Sequence, residues 1–159
     1  MFKKRETVVY PIHGVGKIVD KFEADQDDKR EYLKIEFFDD PLVVSIPSDN
    51  AESLGLRYPI SKNKMSSILK KLGKTVRVSK NIATAADSLS EEKLGSGKFS
   101  DAIEVVNMLL ALKKKKEEED RILGYTLRGH LESAMKFVKS EVKVVLGEDR
   151  VKKYDLRVS

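Results

Sequence analysis

Near residue 58 the hydrophobic pattern changes period, and that change rules out most mixed architectures. Before it, short runs rich in β-branched and aromatic residues are separated by Pro, Gly and Asp, and such runs read as strands. After it, apolar residues recur at three- and four-residue spacings over long stretches, the mark of amphipathic helices. A sheet with crossover helices needs strands and helices in alternation, so an all-β beginning followed by helices points to two small units. Their boundary is expected between residues 1–58 and 59–159 of the 159-residue chain.

Thr7-Val8-Val9-Tyr10 is the first expected strand, broken at Pro11 to Gly14. Extended character resumes from Val15 to Phe22, and Asp25 to Lys29 supplies a polar hairpin loop. Tyr32 to Phe37 is a third strand, Asp39-Asp40-Pro41 a turn, and Leu42 to Ile46 a fourth strand stopped by Pro47. Short strands in so little chain suit a small SH3-like or Tudor-like β-barrel better than a sandwich. Gly14 and Gly16 are expected to serve backbone geometry at a bend between strands. No Gly-Lys-Ser/Thr ending follows that would make them a phosphate loop.

In the second half, Ser61 is placed to cap a helix running to Leu72, with Met65, Ile68, Leu69 and Leu72 on one stripe and Gly73 at its end. Lys74 to Asn81 alternates basic and apolar residues, as a short strand or an extended link. Ile82 to Leu94 reads as the next helix, broken by Gly95-Ser96-Gly97. Ser100 is a candidate cap for a long helix with Ala102, Ile103, Val106, Leu109 and Leu110 inside. Lys113 to Lys116, then Glu117 to Asp120, extend that helix as a solvated end with a turn near Asp120 or Arg121, a reading preferred to a dedicated phosphate clamp, with lysine before glutamate, the weaker order for pairing. Leu123, Leu127, Leu131, Ala134, Val138, Val142 and Val145 mark a last long helix ended by Gly147, before a short final turn toward Tyr154. Their near-heptad seam is satisfied by a bundle within one chain, so a monomer is expected.

Charge divides at the same place. Residues 1–58 hold 9 Lys/Arg against 12 Asp/Glu, and residues 59–159 hold 22 against 14. The basic excess falls on the helical half, which gives a physical reason to expect a polyanion there; an acidic protein would satisfy the same charge. With Cys 0, disulfides, thiolate nucleophiles and cysteine-bound zinc are excluded. The 2 histidines are not spaced as a ligand pair: His13 is expected to make a local hydrogen bond or to serve a surface turn at the Pro11 break, and His130 to face solvent or pack half-buried on the last helix. No nucleophile elbow or zinc-protease motif occurs, so the expectation is a non-enzyme with no cofactor, no metal and no small-molecule substrate. No apolar run has membrane-spanning length, and no signal-like segment follows Lys3-Lys4-Arg5. A cytoplasmic location is the default expectation.

Three segments together carry a family resemblance. They are Glu6-Thr7-Val8-Val9-Tyr10-Pro11-Ile12-His13-Gly14-Val15-Gly16, then Glu31-Tyr32-Leu33, then Val43-Val44-Ser45-Ile46-Pro47-Ser48-Asp49-Asn50-Ala51-Glu52. The set resembles the CarD/CdnL family of bacterial RNA-polymerase-binding transcription regulators, and a looser likeness continues through Glu92 to Lys98 and the helix after it. The transcription-repair coupling factor uses a similar N-terminal domain. The resemblance implies a Tudor-like domain that binds the polymerase β subunit by extending a sheet edge, here through Leu42, Val43, Val44, Ser45, Ile46 and Pro47. It implies a helical domain that contacts promoter DNA at the edge of the transcription bubble and stabilises the open complex, on the nucleoid.

Two departures qualify what the resemblance implies. Some members carry an arginine where Ser45 stands, so backbone pairing and Leu42, Val43 or Val44 carry more of the contact here. Members commonly carry a tryptophan that wedges into the minor groove; this chain has Trp 0, and Ala83 stands near that position. Alanine has no ring to stack on an opened base step. Either the DNA contact has moved to Lys74, Arg77 and Lys80, helped by Lys70 and Lys71, or it is weaker than in those members. A polymerase-bound adaptor whose helices recruit another protein, and an autonomous non-specific DNA-binding protein, are the alternatives.

Overall fold

The computed structural model describes residues 1–25, 27, 29–74 and 76–153. Among them are four strands, β1 (Thr7–Tyr10), β2 (Gly14–Glu23), β3 (Glu31–Phe37) and β4 (Val43–Pro47). A 3-10 turn, Ser48–Asn50, leads toward the helices α1 (Lys62–Leu69), α2 (Lys80–Gly95), α3 (Phe99–Glu118), α4 (Tyr125–Leu146) and α5 (Glu148–Lys153). Of the segments expected from sequence, Gln26 and Asp28 in the hairpin loop, Thr75 in the basic link and Tyr154 in the final turn lie outside the described residues.

The strands pair antiparallel in chain order. They form an open sheet and not the closed barrel expected: among the described residues no ladder joins β4 to β1. The outer edge of β1 is taken by Arg57, whose carbonyl accepts from Val9 N–H at 2.7 Å and whose N–H donates to the Val9 carbonyl at 3.1 Å. A four-residue strand filled at Val9 has no edge left for closure.

The pleat gives the two faces different work. Val8, Ile18, Leu33, Ile35 and Ile46 pack with Phe2, Ala51 and Leu56 into one core. The other face is buried only at its β1–β2 end, where the paired Val9 and Val15 join the helical core. Toward β4 the registered residues Lys17, Glu36, Val43 and Ser45 are exposed. Gly14 has the positive φ, 82°, expected at a bend. Gly16 does not sit at a bend; it lies within β2, where a Cβ would come 2.6 Å from the Glu36 carbonyl oxygen. Its constraint is space, not conformation.

Helix starts follow the capping serines. Ser61 Oγ accepts from Lys64 N–H and Ser79 Oγ from Ile82 N–H, each at 3.2 Å, which satisfies otherwise orphaned amides. Residues 76–79, between α1 and α2, form no strand. The expected Ser100 cap is displaced: α3 begins at the buried Phe99, and Ser96 Oγ accepts from Lys98 N–H at 3.2 Å. α3 and α4 form the centre of the bundle: α3 touches α1, α2 and α4, α4 also touches α1, α2, α5 and β2, and Ala102, Ile103, Val105, Val106 and Leu109 of α3 are buried. The α4 seam of Leu131, Ala134, Val138 and Val142 is buried within the chain, with Leu123 packing in ahead of the helix. Gly147, at φ 95°, ends α4.

Candidate functional site

With β1 sealed, β4 is the strand whose outer edge stays open, since β3 is its partner on the inner side. Alternate residues of such an edge point N–H and C=O groups outward, ready to pair with another strand. Beside this edge Phe38, Leu42 and Val43 are 54%, 48% and 46% exposed. Of the six residues singled out from sequence in and just before β4, Leu42, Val43 and Ser45 present exposed side chains, and Val44 and Pro47 are half-buried. Ile46 does not face a partner; at 4% exposure it belongs to the sheet core, because it is registered opposite the buried Leu33. It holds the strand from beneath.

The entry to β4 is fixed by the first hairpin. His13 Nδ1–H donates to Asp40 Oδ2 at 3.0 Å, and Asp40 Oδ1 accepts from Leu42 N–H at 2.9 Å. The His13 ring packs on Phe37, with ring centroids 5.1 Å apart. Hydrogen bonding to His13 first, then to Leu42 N–H, holds the Asp40 carboxyl below the usual carboxylate range. The local hydrogen bond expected of His13 thus sets where the exposed Leu42 begins.

A second set of contacts joins the sheet to the helices. Arg57, which seals β1, makes a two-point contact with Glu141 on α4: Nη1 donates to Oε2 at 2.9 Å and Nη2 to Oε1 at 2.6 Å. Arg57 Nε donates to the Gly97 carbonyl at 2.9 Å, and Ile60 N–H donates to Glu141 Oε2 at 2.9 Å. Next to Glu141, Ser140 Oγ accepts from Val15 N–H at 3.0 Å. Pro11 is buried where a Cβ on Gly55 or Gly97 would reach its Cγ at 2.6 or 2.7 Å. Sequence reading missed Arg57, Ser140 and Glu141; the usable signal was a glutamate among the apolar positions of the last helix.

The basic residues singled out, Lys70, Lys71, Lys74, Arg77 and Lys80, are all exposed, as is Ala83 on α2. Among the described residues, none of these cations meets a carboxylate at salt-bridge distance. Asn107 on α3 ties the turn after α1 to the bundle, accepting from Gly73 N–H and donating to the Lys71 carbonyl, both at 2.8 Å. That tie brings Lys74 to a cleft of about 350 Å³ shared with Lys114 and Lys115. Ala83 lines a neighbouring cleft with Lys115, Lys116 and Arg121. The lysine run, expected as a solvated helix end, is therefore continuous with the basic link and with the Ala83 position. Lys70, Lys71, Arg77 and Lys80 line neither of these clefts.

The N-terminal sheet therefore has one edge bridged by Arg57, one open edge with an apolar rim, and a hydrogen-bonded junction with a basic helical bundle. Residues 2–60 match the family model described as the CarD-like/TRCF RID domain. The N-terminal part of the chain is thus similar to CarD-like RNA-polymerase-interacting domains, and the match supports a transcription-related role in binding RNA polymerase. The matched residues run from the first core side chain, Phe2, through Arg57 to Ile60; the looser likeness at Glu92 to Lys98 lies beyond them.

Proposed function

We propose that this protein is a non-enzymatic transcription regulator with two contacts. Residues 1–58 add the β4 edge to a strand of the polymerase β subunit, and residues 59–159 lie along promoter DNA. The observation that carries the reading is the open β4 edge beside Phe38, Leu42 and Val43, opposite an edge already sealed by Arg57. Strand addition draws affinity from main-chain hydrogen bonds, and the flanking apolar side chains select the register.

The DNA contact is supported by the cations around two adjoining clefts, Lys74, Lys114, Lys115, Lys116 and Arg121, which outnumber the carboxylates Glu118 and Glu119 there, although Arg121 pairs with Glu119 at 3.6 Å. Lysine and arginine contacts to phosphate position a protein without reading sequence. Ala83 offers no ring to open a base step, so this surface follows the duplex backbone. Once polymerase holds the sheet, even weak phosphate contacts act at high effective concentration. They favour the open complex to the extent that they bind it better than the closed one. The protein acts as a monomer in the cytoplasm, on the nucleoid.

The test is the lifetime of open complexes formed by purified polymerase on a promoter, challenged with competitor DNA. Addition of the protein is expected to lengthen that lifetime. An unchanged lifetime, with polymerase binding confirmed in the same sample, would remove the DNA role and leave the polymerase contact standing.

A further inference from the structure

Asp87 and Glu91 stand one turn apart on α2, and His130 meets them from α4. Their ligand atoms, two carboxylate oxygens and one imidazole nitrogen, all lie within 4.8 Å of one another. His130 Nε2–H donates to Asp87 Oδ1 at 2.6 Å, and the ring is mostly buried, its side chain 18% exposed. A histidine–aspartate pair accounts for two of the three groups. It does not account for Glu91, because like charges four residues apart on one helix face repel. Between the two carboxylates in sequence, Ser90 is fully buried, and its hydroxyl has no hydrogen-bond partner among the described residues.

We propose that Asp87, Glu91 and His130 bind one divalent transition-metal ion of the Zn²⁺ type, which clips α2 to α4. One imidazole nitrogen with two carboxylate oxygens is a borderline donor set, suited to zinc and its first-row neighbours more than to Mg²⁺ or Ca²⁺. Bonds of about 2.0–2.2 Å hold the donors of a tetrahedral ion roughly 3.3–3.5 Å apart. That spacing exceeds the present Asp87–His130 contact and falls inside the limit the three atoms already meet. The ion takes the place of the Nε2 proton, which passes to solvent, and water completes the coordination. Two negative charges that repel in its absence become ligands in its presence. Because α2 begins at Lys80 and carries Ala83, the ion would fix that part of the basic surface on the bundle.

The experiment titrates the metal-free full-length chain with Zn²⁺ against a chromophoric chelator. It compares the wild type with Glu91→Gln, His130→Gln and His13→Gln, and circular dichroism checks that each variant is folded. Glu91→Gln keeps the His130–Asp87 bond and removes a charged ligand from an exposed position. The wild type is expected to bind one equivalent, Glu91→Gln to bind at least tenfold more weakly, His130→Gln to lose the site, and His13→Gln to match the wild type. Absence of stoichiometric binding, or equal affinity in the wild type and Glu91→Gln, would overturn the proposal. Ready displacement by Mg²⁺ would overturn the assignment to a transition metal. None of these readouts depends on polymerase or DNA.

Discussion

The guanidinium of Arg57 lies across the carboxylate of Glu141, 84 residues away in the chain, through two hydrogen bonds of 2.9 and 2.6 Å. Glu141 is fully buried and Arg57 retains 22% side-chain exposure. Removing one member of such a pair leaves a desolvated charge without compensation, at a cost of about 3–5 kcal/mol. Arg57→Ala is expected to lower stability by that order in urea unfolding. The double change Arg57→Met with Glu141→Leu should recover much of the loss.

The open edge and the core beneath it respond to different substitutions. Val43→Asp, on the exposed side of β4, is expected to weaken polymerase binding about tenfold, or about 1.4 kcal/mol, with an unchanged thermal midpoint. Ile46→Ala removes a core side chain and should cost about 2–5 kcal/mol of stability. Measuring β-subunit affinity and thermal unfolding on both variants separates contact from support.

Phosphate contacts are counted by salt dependence. Each one lost lowers the slope of log affinity against log salt by about 0.9 for duplex DNA. Replacing Lys74, Lys114 and Lys115 together by alanine is expected to flatten the slope by roughly 2–3 while leaving binding sequence-independent. A duplex titration at several salt concentrations checks this.

Gly16→Ala places a methyl group against the backbone of β3, where Glu36 cannot withdraw without breaking its pairing with Lys17. A loss of about 1–3 kcal/mol is expected, as for other overpacked sites, read from chemical unfolding.

The Asp40 carboxyl titrates lower in the folded protein than in the unfolded chain. Its contribution is therefore present above the unfolded pKa, about 3.9, and is lost as pH falls through the lower folded value. The stability gap between the wild type and Asp40→Asn should be open at pH 7 and close only in strong acid. Unfolding midpoints measured across that range test the sign.

Local features of this chain were legible because local chemistry sets them. Pro11, the Asp39-Asp40-Pro41 turn and Pro47 bound the strands, and Ser61 caps α1, close to where sequence places them. The departures all arise from partners distant in sequence. The sheet stays open where Arg57, and not β4, pairs with the outer side of β1, and Ile46 faces inward because its register partner is Leu33. α3 starts early because Phe99 has a core to enter. At the candidate site, the exposed β4 residues could be anticipated from their segment. The Lys114 to Lys116 contribution could not, because only the Asn107 tie brings Lys74 beside that helix.

The unequal edges of the sheet also limit how copies of this protein can associate. Strand-by-strand growth into a fibre needs an acceptor edge at each end of every unit, so that each addition regenerates a site. Here the Arg57 bridge occupies one side. Two molecules joined through β4 would have no open edge left, and assembly would terminate at the pair. The chain can thus keep a sticky strand available for its partner without nucleating filaments.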